Sequence, residues 1–489
     1  MSDKLKVFYI SPEVSPFAKS GEVADVADSL PKYLSALGMD VSIFMPKYRR
    51  PEIESLSMEL LISNLLVPLG KNKVKCQVFK SELGKYSIFF IDNARYFWRD
   101  NIYGSGKDEY LDNDERFVFF NRAVLEFIIK TEMTVDVIHC NNWPTALIPV
   151  FLKTHYAGMS RFKKTASVFT VHNVAFQGEF PPEAIALTGL NWDYLKPKGL
   201  SFKGKFNFLK GGLLFSDVIS TVSSSYRREI MTRKHGFGME NIFKDRRKDL
   251  FAIRNGIDYE NWDPERDPYI EKNYTFSGIK SKKINKQDLV EEAGLNISPN
   301  TPLLGLISHF AEHKGFDILL EAIDELIAME VGLIVMGRGG EEYEKRLAEA
   351  KRRHPDRIVV KLGFSPGFTH KIVAGADIIL IPSRYEPCGL NQLYGFRYGT
   401  VPVVRAIGGL KETVEPFDKK SLRGNGFVFK AYSSEALLGA IKEAVGFYRK
   451  PRLWNKIVKA GFRQNFSWTS SAKRYIRLYR HALELKKGA

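Results

Sequence analysis

Cysteine is scarce in this 489-residue chain: Cys76, Cys140 and Cys388 are widely spaced, and no two form a CxxC pair. Three such thiols cannot complete a disulfide set, so a reducing, cytoplasmic setting is the simplest expectation. Long apolar runs are missing too, none reaching the roughly 18 residues of a membrane-spanning helix. The opening Met1-Ser-Asp-Lys-Leu-Lys passes into a short strand, Val7–Ile10, without the apolar region and small-residue cleavage site of a secretion signal. Acidic residues are in deficit, 56 Asp and Glu against 73 Lys and Arg, a formal charge of +17. The surplus favours anionic ligands, yet no helix-turn-helix, zinc-finger or RNP-like motif accompanies it. Two small clusters, Lys282-Lys283 with Lys286 and Arg246-Arg247-Lys248, have no interleaved aromatics on which bases could stack. They read as solvated faces, so neither nucleic acid nor membrane is expected as a partner.

The length suits two domains, each able to bury a core, and the composition (44% hydrophobic, 26% charged) is that of a globular protein. Short apolar runs alternate with amphipathic stretches, the pattern of βα units around parallel sheets. Strands are predicted at Val7–Ile10, Val41–Phe44, Val135–His139 and Ser167–Val171, with a helix over Asp25–Leu37 that Gly38 stops. Residues 264–287 are polar and aperiodic and make the best linker. A second alternation follows at Leu303–Ser308, Leu333–Met336, Ile358–Leu362, Ile378–Ile381 and Val401–Val404. Two doubly wound α/β sheets in tandem would face a central cleft at their strand carboxyl ends, where such folds bind ligands.

The chemistry-bearing residues fall at those strand ends. Ile378–Ile381 runs into a Pro- and Gly-containing turn with one acid, Glu386, and a helix begins near Leu390. A helix start attracts anions, and a carboxylate beside it can hold hydroxyls, so a sugar nucleotide fits. The loop Ser11–Asp25 carries Lys19 before a helix; read alone, Lys19 suits a surface lysine better than a phosphate ligand. His139-Cys-Asn-Asn142 and Thr170-Val-His172-Asn173 close adjacent strands with polar groups. Ser308-His309-Phe-Ala-Glu-His313-Lys314 ends another, where Lys314 suits either a diphosphate or plain solvent. The His309/His313 spacing lacks HExxH or a third ligand, so no metal is expected. Asp112-Asn-Asp114 precedes a helix-like run, Phe117–Ile129, and reads as its cap. Gly104-Ser-Gly-Lys107 lacks the Ser/Thr and flanking strand of a P-loop.

Together these segments resemble the bacterial glycogen synthases and plant starch synthases, retaining glycosyltransferases of the GT-B fold with two Rossmann-like domains. The likeness is carried by Lys19-Ser-Gly-Glu-Val-Ala-Asp-Val, Lys210-Gly-Gly-Leu-Leu-Phe-Ser-Asp-Val, Arg254-Asn-Gly-Ile-Asp, Tyr385-Glu-Pro-Cys-Gly-Leu, Arg397-Tyr-Gly-Thr, Gly408-Gly-Leu-Lys-Glu-Thr-Val and Phe466-Ser-Trp. It implies an acceptor-side domain over 1–264, a donor domain over 265–466, and a final helix, about 467–489, crossing back to the first. It also implies glucose transfer from ADP-glucose to the non-reducing end of an α-1,4-glucan such as glycogen, with retained configuration and neither metal nor cofactor; oligomeric state stays open. On this resemblance Glu386, Lys314 and His172 are catalytic, the His172 carbonyl facing the charge that develops at the sugar carbon. Substrate contacts fall to Lys19, Gly21, Asp25, Asn142, Asn173, Gln177 and Asn255 in the first half. In the second they fall to His309, Cys388, Gly389, Leu390 and Tyr394, the last in place of the second Glu of the E-x7-E pattern. Some positions depart from the family. His309 stands for Arg, Glu22 for the second Gly of the lysine loop, and Asn141, Asn142 and Pro144 for the second His, the Asp and the last His of His-Ala-His-Asp-Trp-His. These departures keep open a weakened glucan-binding paralogue, or a GT-B transferase with another donor or acceptor.

Overall fold

A computed structural model describes residues 4–105 and 108–488. Gly106 and Lys107, the end of the Gly-Ser-Gly-Lys stretch, lie outside the described residues. The chain divides into two compact units. One comprises Met1–Val222, Arg227–Gly256 and Trp468–Ala489, and the other Ser223–Tyr226 and Ile257–Ser467.

The first unit is built on a nine-stranded sheet. Its strands are β1 (Lys6–Ile10), β2 (Asp40–Pro46), β3 (Glu59–Leu69), β4 (Asn72–Leu83), β5 (Tyr86–Asp92), β6 (Val137–Asn141), β7 (Ala166–Val171), β8 (Val218–Thr221) and β9 (Leu250–Ala252). The order β9-β8-β7-β6-β1-β2-β5-β4-β3 is parallel from β9 to β5, and β4 and β3 add an antiparallel edge. Every residue of β6 and β7 is buried, as expected of a parallel sheet covered on both faces. The helix Glu22–Ala36 buries Val23, Ala24, Val26, Ala27, Leu30 and Leu34 at three- and four-residue spacings. Gly38, at φ +91°, ends it in a left-handed turn. The closing helix Trp468–Lys487 packs on this unit through Trp468, Tyr475 and Tyr479.

The second unit holds a six-stranded, wholly parallel sheet. Its strands are β10 (Leu303–Ile307), β11 (Gly332–Gly337), β12 (Ile358–Leu362), β13 (Ile378–Ile381), β14 (Val401–Arg405) and β15 (Phe427–Phe429), in the order β12-β11-β10-β13-β14-β15. Both units are Rossmann-like, and the break in strand order at β1 and at β10 opens each sheet's carboxyl edge to ligands.

Four expectations need correction. β6 runs to Asn141 rather than ending at His139, because Asn141 stays in register with Thr170. Asp112 sits at the start of the helix Asn113–Lys130 but does not cap it with its side chain; the carboxylate instead pairs with Arg99 (2.7 Å). Residues 264–287 are no linker. Within them Asp267 is buried and accepts from Tyr398 Oη (2.5 Å) and the backbone N–H of Tyr269 (2.9 Å), and it pairs with His370 Nδ1 (2.7 Å). The basic clusters are solvated faces only in part: Lys283, Arg247 and Lys248 are exposed, whereas Lys282, Lys286 and Arg246 turn inward. Lys282 Nζ is buried on the carbonyls of Val373 and Ala374, at the end of the helix Pro366–Gly375, and on Thr400 Oγ1. Lys286 meets Asp377, Thr301 O and Tyr448 Oη. Arg246 likewise collects the carbonyls of Leu213, Leu214, Ser216 and Asp217 behind the helix Phe208–Phe215. The last carbonyls of a helix lack partners and carry partial negative charge, so polar sequence is recruited to cap them.

Burial pushes the Asp267 carboxyl up, yet its three donors outweigh that and hold it below the ordinary range. Asp267→Ala strands buried partners at about 1–3 kcal/mol each. Its urea midpoint should therefore fall well below that of Asp267→Asn, which keeps one acceptor.

Candidate active site

In the second unit the loops after β10, β11, β12 and β13 lie side by side. Phe310 N donates to Arg338 O and Gly340 N to Phe310 O, and Gly363 N donates to Gly337 O. The turn after β13 is fixed by close backbone packing. A Cβ on Gly315, at φ +84°, would sit 2.3 Å from Pro382 O, and one on Gly408, at φ +47°, would sit 1.8 Å from Glu386 O. Only glycine permits those approaches at those angles.

Glu386, 4% exposed, is the charged centre of this edge. Lys314 Nζ donates to both its oxygens (3.0 and 2.7 Å), and Ser383 Oγ donates to Oε2 (2.9 Å). The helix Asn391–Tyr398 starts five residues later with no side chain capping it at Leu390, and Asn391 Nδ2 ties it to Ile307 O. Cys388, Gly389 and Leu390 form the link; the first two offer carbonyls to Gln392 Nε2, and Leu390 O accepts from the N–H of Leu393 and Tyr394. Cation, carboxylate and helix start are thus gathered at one place.

The aromatic groups are arranged around it. His309 meets Phe364 edge-on (5.0 Å), and Phe364 is nearly half exposed. Tyr394 stacks on Trp262 (3.7 Å), whose other face stacks on His370 (3.9 Å). His313 stacks on Tyr385 (5.1 Å), and burial and then the neighbouring Lys314 push its imidazole down to about 4.

In the first unit, polar groups line the carboxyl ends of neighbouring strands β1, β6 and β7. His172 is 6% exposed; its Nε2 meets Asn141 Oδ1 (3.0 Å) and its backbone N–H donates to Asn142 Oδ1 (2.8 Å), while Nδ1 is buried without a partner. Asn142 carries φ +58°, a conformation costly for any residue but glycine. Asn255, 1% exposed, has neither amide atom paired. Asn173 Oδ1 accepts from Ala175 N–H (3.0 Å). Gln177 spans Val174 O, Phe237 O and Asn207 Nδ2, so its amide ties loops together. Pro144 O accepts from Asn121 Nδ2.

The lysine loop is organised by a residue that the sequence reading passed over. Glu13, 3% exposed, accepts from Ser20 N–H and Oγ, Gly21 N–H and Tyr103 Oη. Lys19 pairs with Asp25 (2.6 Å). The signal for Glu13 was an acid directly after a buried strand, beside a run of small polar residues. Glu22 opens the helix Glu22–Ala36, where the dipole favours an acid. Phe364 and Ser383 were likewise overlooked.

Among the described residues no group of three or more His, Cys, Asp or Glu side chains could hold a metal ion, and no helix is long and apolar enough to cross a membrane.

Residues 6–245 match the family model for the starch synthase catalytic domain, and residues 290–459 match that for glycosyl transferases group 1. A glycogen synthase of Desulforudis audaxviator is 40% identical over 491 residues, covering 98% of this chain and 97% of the relative. The chain belongs to the glycogen and starch synthase family. The glycogen synthase of Thermotoga maritima is 42% identical over 487 residues, covering 98% and 99%. The solved catalytic domain of Starch Synthase IV from Arabidopsis thaliana, bound to ADP and acarbose, superposes with a TM-score of 0.92 at 27% identity, covering 99% of this chain and all of that one. As a member of the glycogen and starch synthase family the chain is a glucosyltransferase of the GT-B fold.

Burial pushes both His139 and His172 down to about 3, with His172 adding to the shift of His139. In the unfolded chain each takes up a proton near pH ~6.5. Their contribution to stability is therefore complete above that pH and is lost as pH falls toward 3, at up to about 1.4 kcal/mol per pH unit per histidine. The urea midpoint should fall between pH 6.5 and 4.5, and fall less steeply in His139→Gln; equal slopes contradict this.

Proposed function

We propose that the protein transfers glucose from ADP-glucose to the non-reducing end of an α-1,4-glucan such as glycogen, with retention of configuration. The observation that carries this reading is the Lys314–Glu386 pair at the open start of the helix Asn391–Tyr398. The buried carboxylate suits the hydroxyls of a donor sugar. Lys314 and the helix start suit the diphosphate, whose charge grows as the bond to the sugar carbon breaks. That bond's electron pair leaves with the diphosphate, and the acceptor's 4-hydroxyl oxygen forms the new bond. Retention without a covalent intermediate requires the hydroxyl to enter the face that the diphosphate leaves, and the departing phosphate oxygen is the base at hand for its proton.

Phe364, exposed beside His309, offers a flat face to the base of the nucleotide. Cys388, Gly389 and Leu390 would line the diphosphate by main-chain groups. Tyr394, as part of the Trp262 stack, shapes the floor of the donor site rather than carrying charge. In the first unit we assign His172 and Asn255 to sugar contacts, with Asn142 and Asn173 shaping the loop around them. The His172 carbonyl is suited to the positive charge that develops at the sugar carbon. Lys19, held by Asp25, supports the phosphate side, and Gly21, its amide held by Glu13, shapes the loop that carries it. His309 supplies a ring in place of a permanent cation, so the diphosphate leans on Lys314 and the helix. The buried thiols Cys76, Cys140 and Cys388 suit the cytoplasm.

Radiolabel transfer to glycogen tests the assignment, with ADP-glucose and UDP-glucose as donors. Transfer from ADP-glucose should exceed that from UDP-glucose. Glu22→Gly/His309→Arg should raise the rate, and Lys314→Met should lower kcat/KM by about 10²-fold or more. No transfer from either donor, with glycogen binding intact, would overturn the reading in favour of a glucan-binding role.

A further inference from the structure

We propose that Asn141 is a positioning residue that locks His172 as the Nε2–H tautomer and so presents Nδ1 as a hydrogen-bond acceptor to a sugar hydroxyl. The inference rests on the reading of His172 as a sugar contact.

The assignment follows from what each neighbour can do. Asn141 Nδ2 faces Ile10 O at 3.0 Å. A carbonyl only accepts, so the amide nitrogen must lie at that end and the amide oxygen at the other. At the oxygen's end stand Tyr9 Oη and His172 Nε2, each 3.0 Å away. An amide oxygen only accepts as well, so Tyr9 donates its hydroxyl proton and Nε2 carries the imidazole proton. His172 is buried and neutral, its imidazole pushed down to about 3 by desolvation. The second nitrogen, Nδ1, therefore bears only a lone pair, and it is buried with no partner.

The clamp is anchored in the sheet. Tyr9 and Ile10 lie on β1, Asn141 ends β6, and His172 follows β7; β1 pairs with β6 and β6 with β7. Tyr9 and Asn141 are both fully buried. The main chain of His172 is fixed separately, by its N–H on Asn142 Oδ1. Ring and backbone are thus held by two consecutive asparagines. A histidine at position 141 would itself exist in two tautomers and could leave either nitrogen toward His172; the amide, oriented by Ile10 O, cannot. A buried lone pair accepts from O–H or N–H, and among the substrates of a glucosyltransferase that partner is a sugar hydroxyl.

The test uses full-length protein labelled with ¹⁵N-histidine, with His172 assigned by the resonances lost in His172→Gln. Long-range ¹H–¹⁵N correlation should show one protonated nitrogen, Nε2, and one bare nitrogen, Nδ1. Asn141→Leu should mix the tautomers and lower kcat by about tenfold or more, with KM for the nucleotide sugar within about twofold. Asn141→Asp, protonated on the oxygen that faces Ile10 O and so keeping an acceptor toward Nε2, should restore the Nε2–H form. A wild-type His172 that is Nδ1–H, or that carries both protons at neutral pH, overturns the proposal without any variant having to fold. So does an Asn141→Leu protein with unchanged tautomer and kcat. Nε2–H in a protein that transfers no glucose would support the tautomer lock while contradicting the proposed function, so the two failures are distinguishable.

Discussion

A carboxylate taken out of water must be held by a cation or by hydrogen-bond donors, and Glu386 has both. Lys314 reaches it from the loop after β10, and Ser383 from the same turn. That requirement organises the second unit's ligand edge. The loop carrying Lys314 can approach only because Gly315 clears Pro382 O, and the turn can fold over Glu386 only because Gly408 clears its carbonyl. The parallel sheet beneath supplies the register, and the helix Asn391–Tyr398 starts where the charges are already paired. The result is a charge-paired edge set before any ligand arrives, and on the proposed function it suits a group bearing both hydroxyls and negative charge.

The first unit solves a different problem, placing polar groups in a dry sheet edge without charging them. His139 and His172 are kept neutral by burial; both ring nitrogens of His139 are hydrogen-bonded, but only Nε2 of His172 is. His139 is bracketed by Tyr479 Oη (2.8 Å) and Thr170 Oγ1 (2.6 Å). The Tyr479 contact makes the closing helix part of the support for β6. Glu13, a buried acid near this edge, gives its oxygens to the amides and hydroxyl of the lysine loop. A phosphate cannot take the Ser20 and Gly21 amides while Glu13 holds them, so Lys19 and the helix start are what remain to meet an anion.

Much of the fold was legible because buried parallel strands must be apolar: β10 to β14 and β1, β2 and β7 show as short apolar runs. β6 was misread at its end because Asn141 looks like a loop residue; only its register with Thr170 keeps it in the strand. Lys282, Lys286 and Arg246 were misread for the converse reason. A cation capping helix carbonyls is buried by tertiary contact, and nothing in its local sequence says so. Glu386 and Lys314 stand out as chemistry at strand ends, but their pairing across 72 residues is a product of the sheet order. Glu13, Phe364 and Ser383 were missed because an acid, an aromatic ring and a hydroxyl in loops are ordinary until their neighbours are known. Family likeness supplied the glucosyltransferase reading; the geometry supplies reasons why these residues suit it.

The central claim is that Glu386 holds the donor's sugar while Lys314 and the helix start hold its diphosphate. Titration of ADP and assay of glucosyl transfer in Glu386→Gln test it together, since ADP has the diphosphate and lacks the sugar. The account predicts ADP affinity within about threefold of wild type and transfer reduced by about 10²-fold or more. Transfer that survives the substitution, or ADP affinity that falls in parallel with transfer, would contradict it.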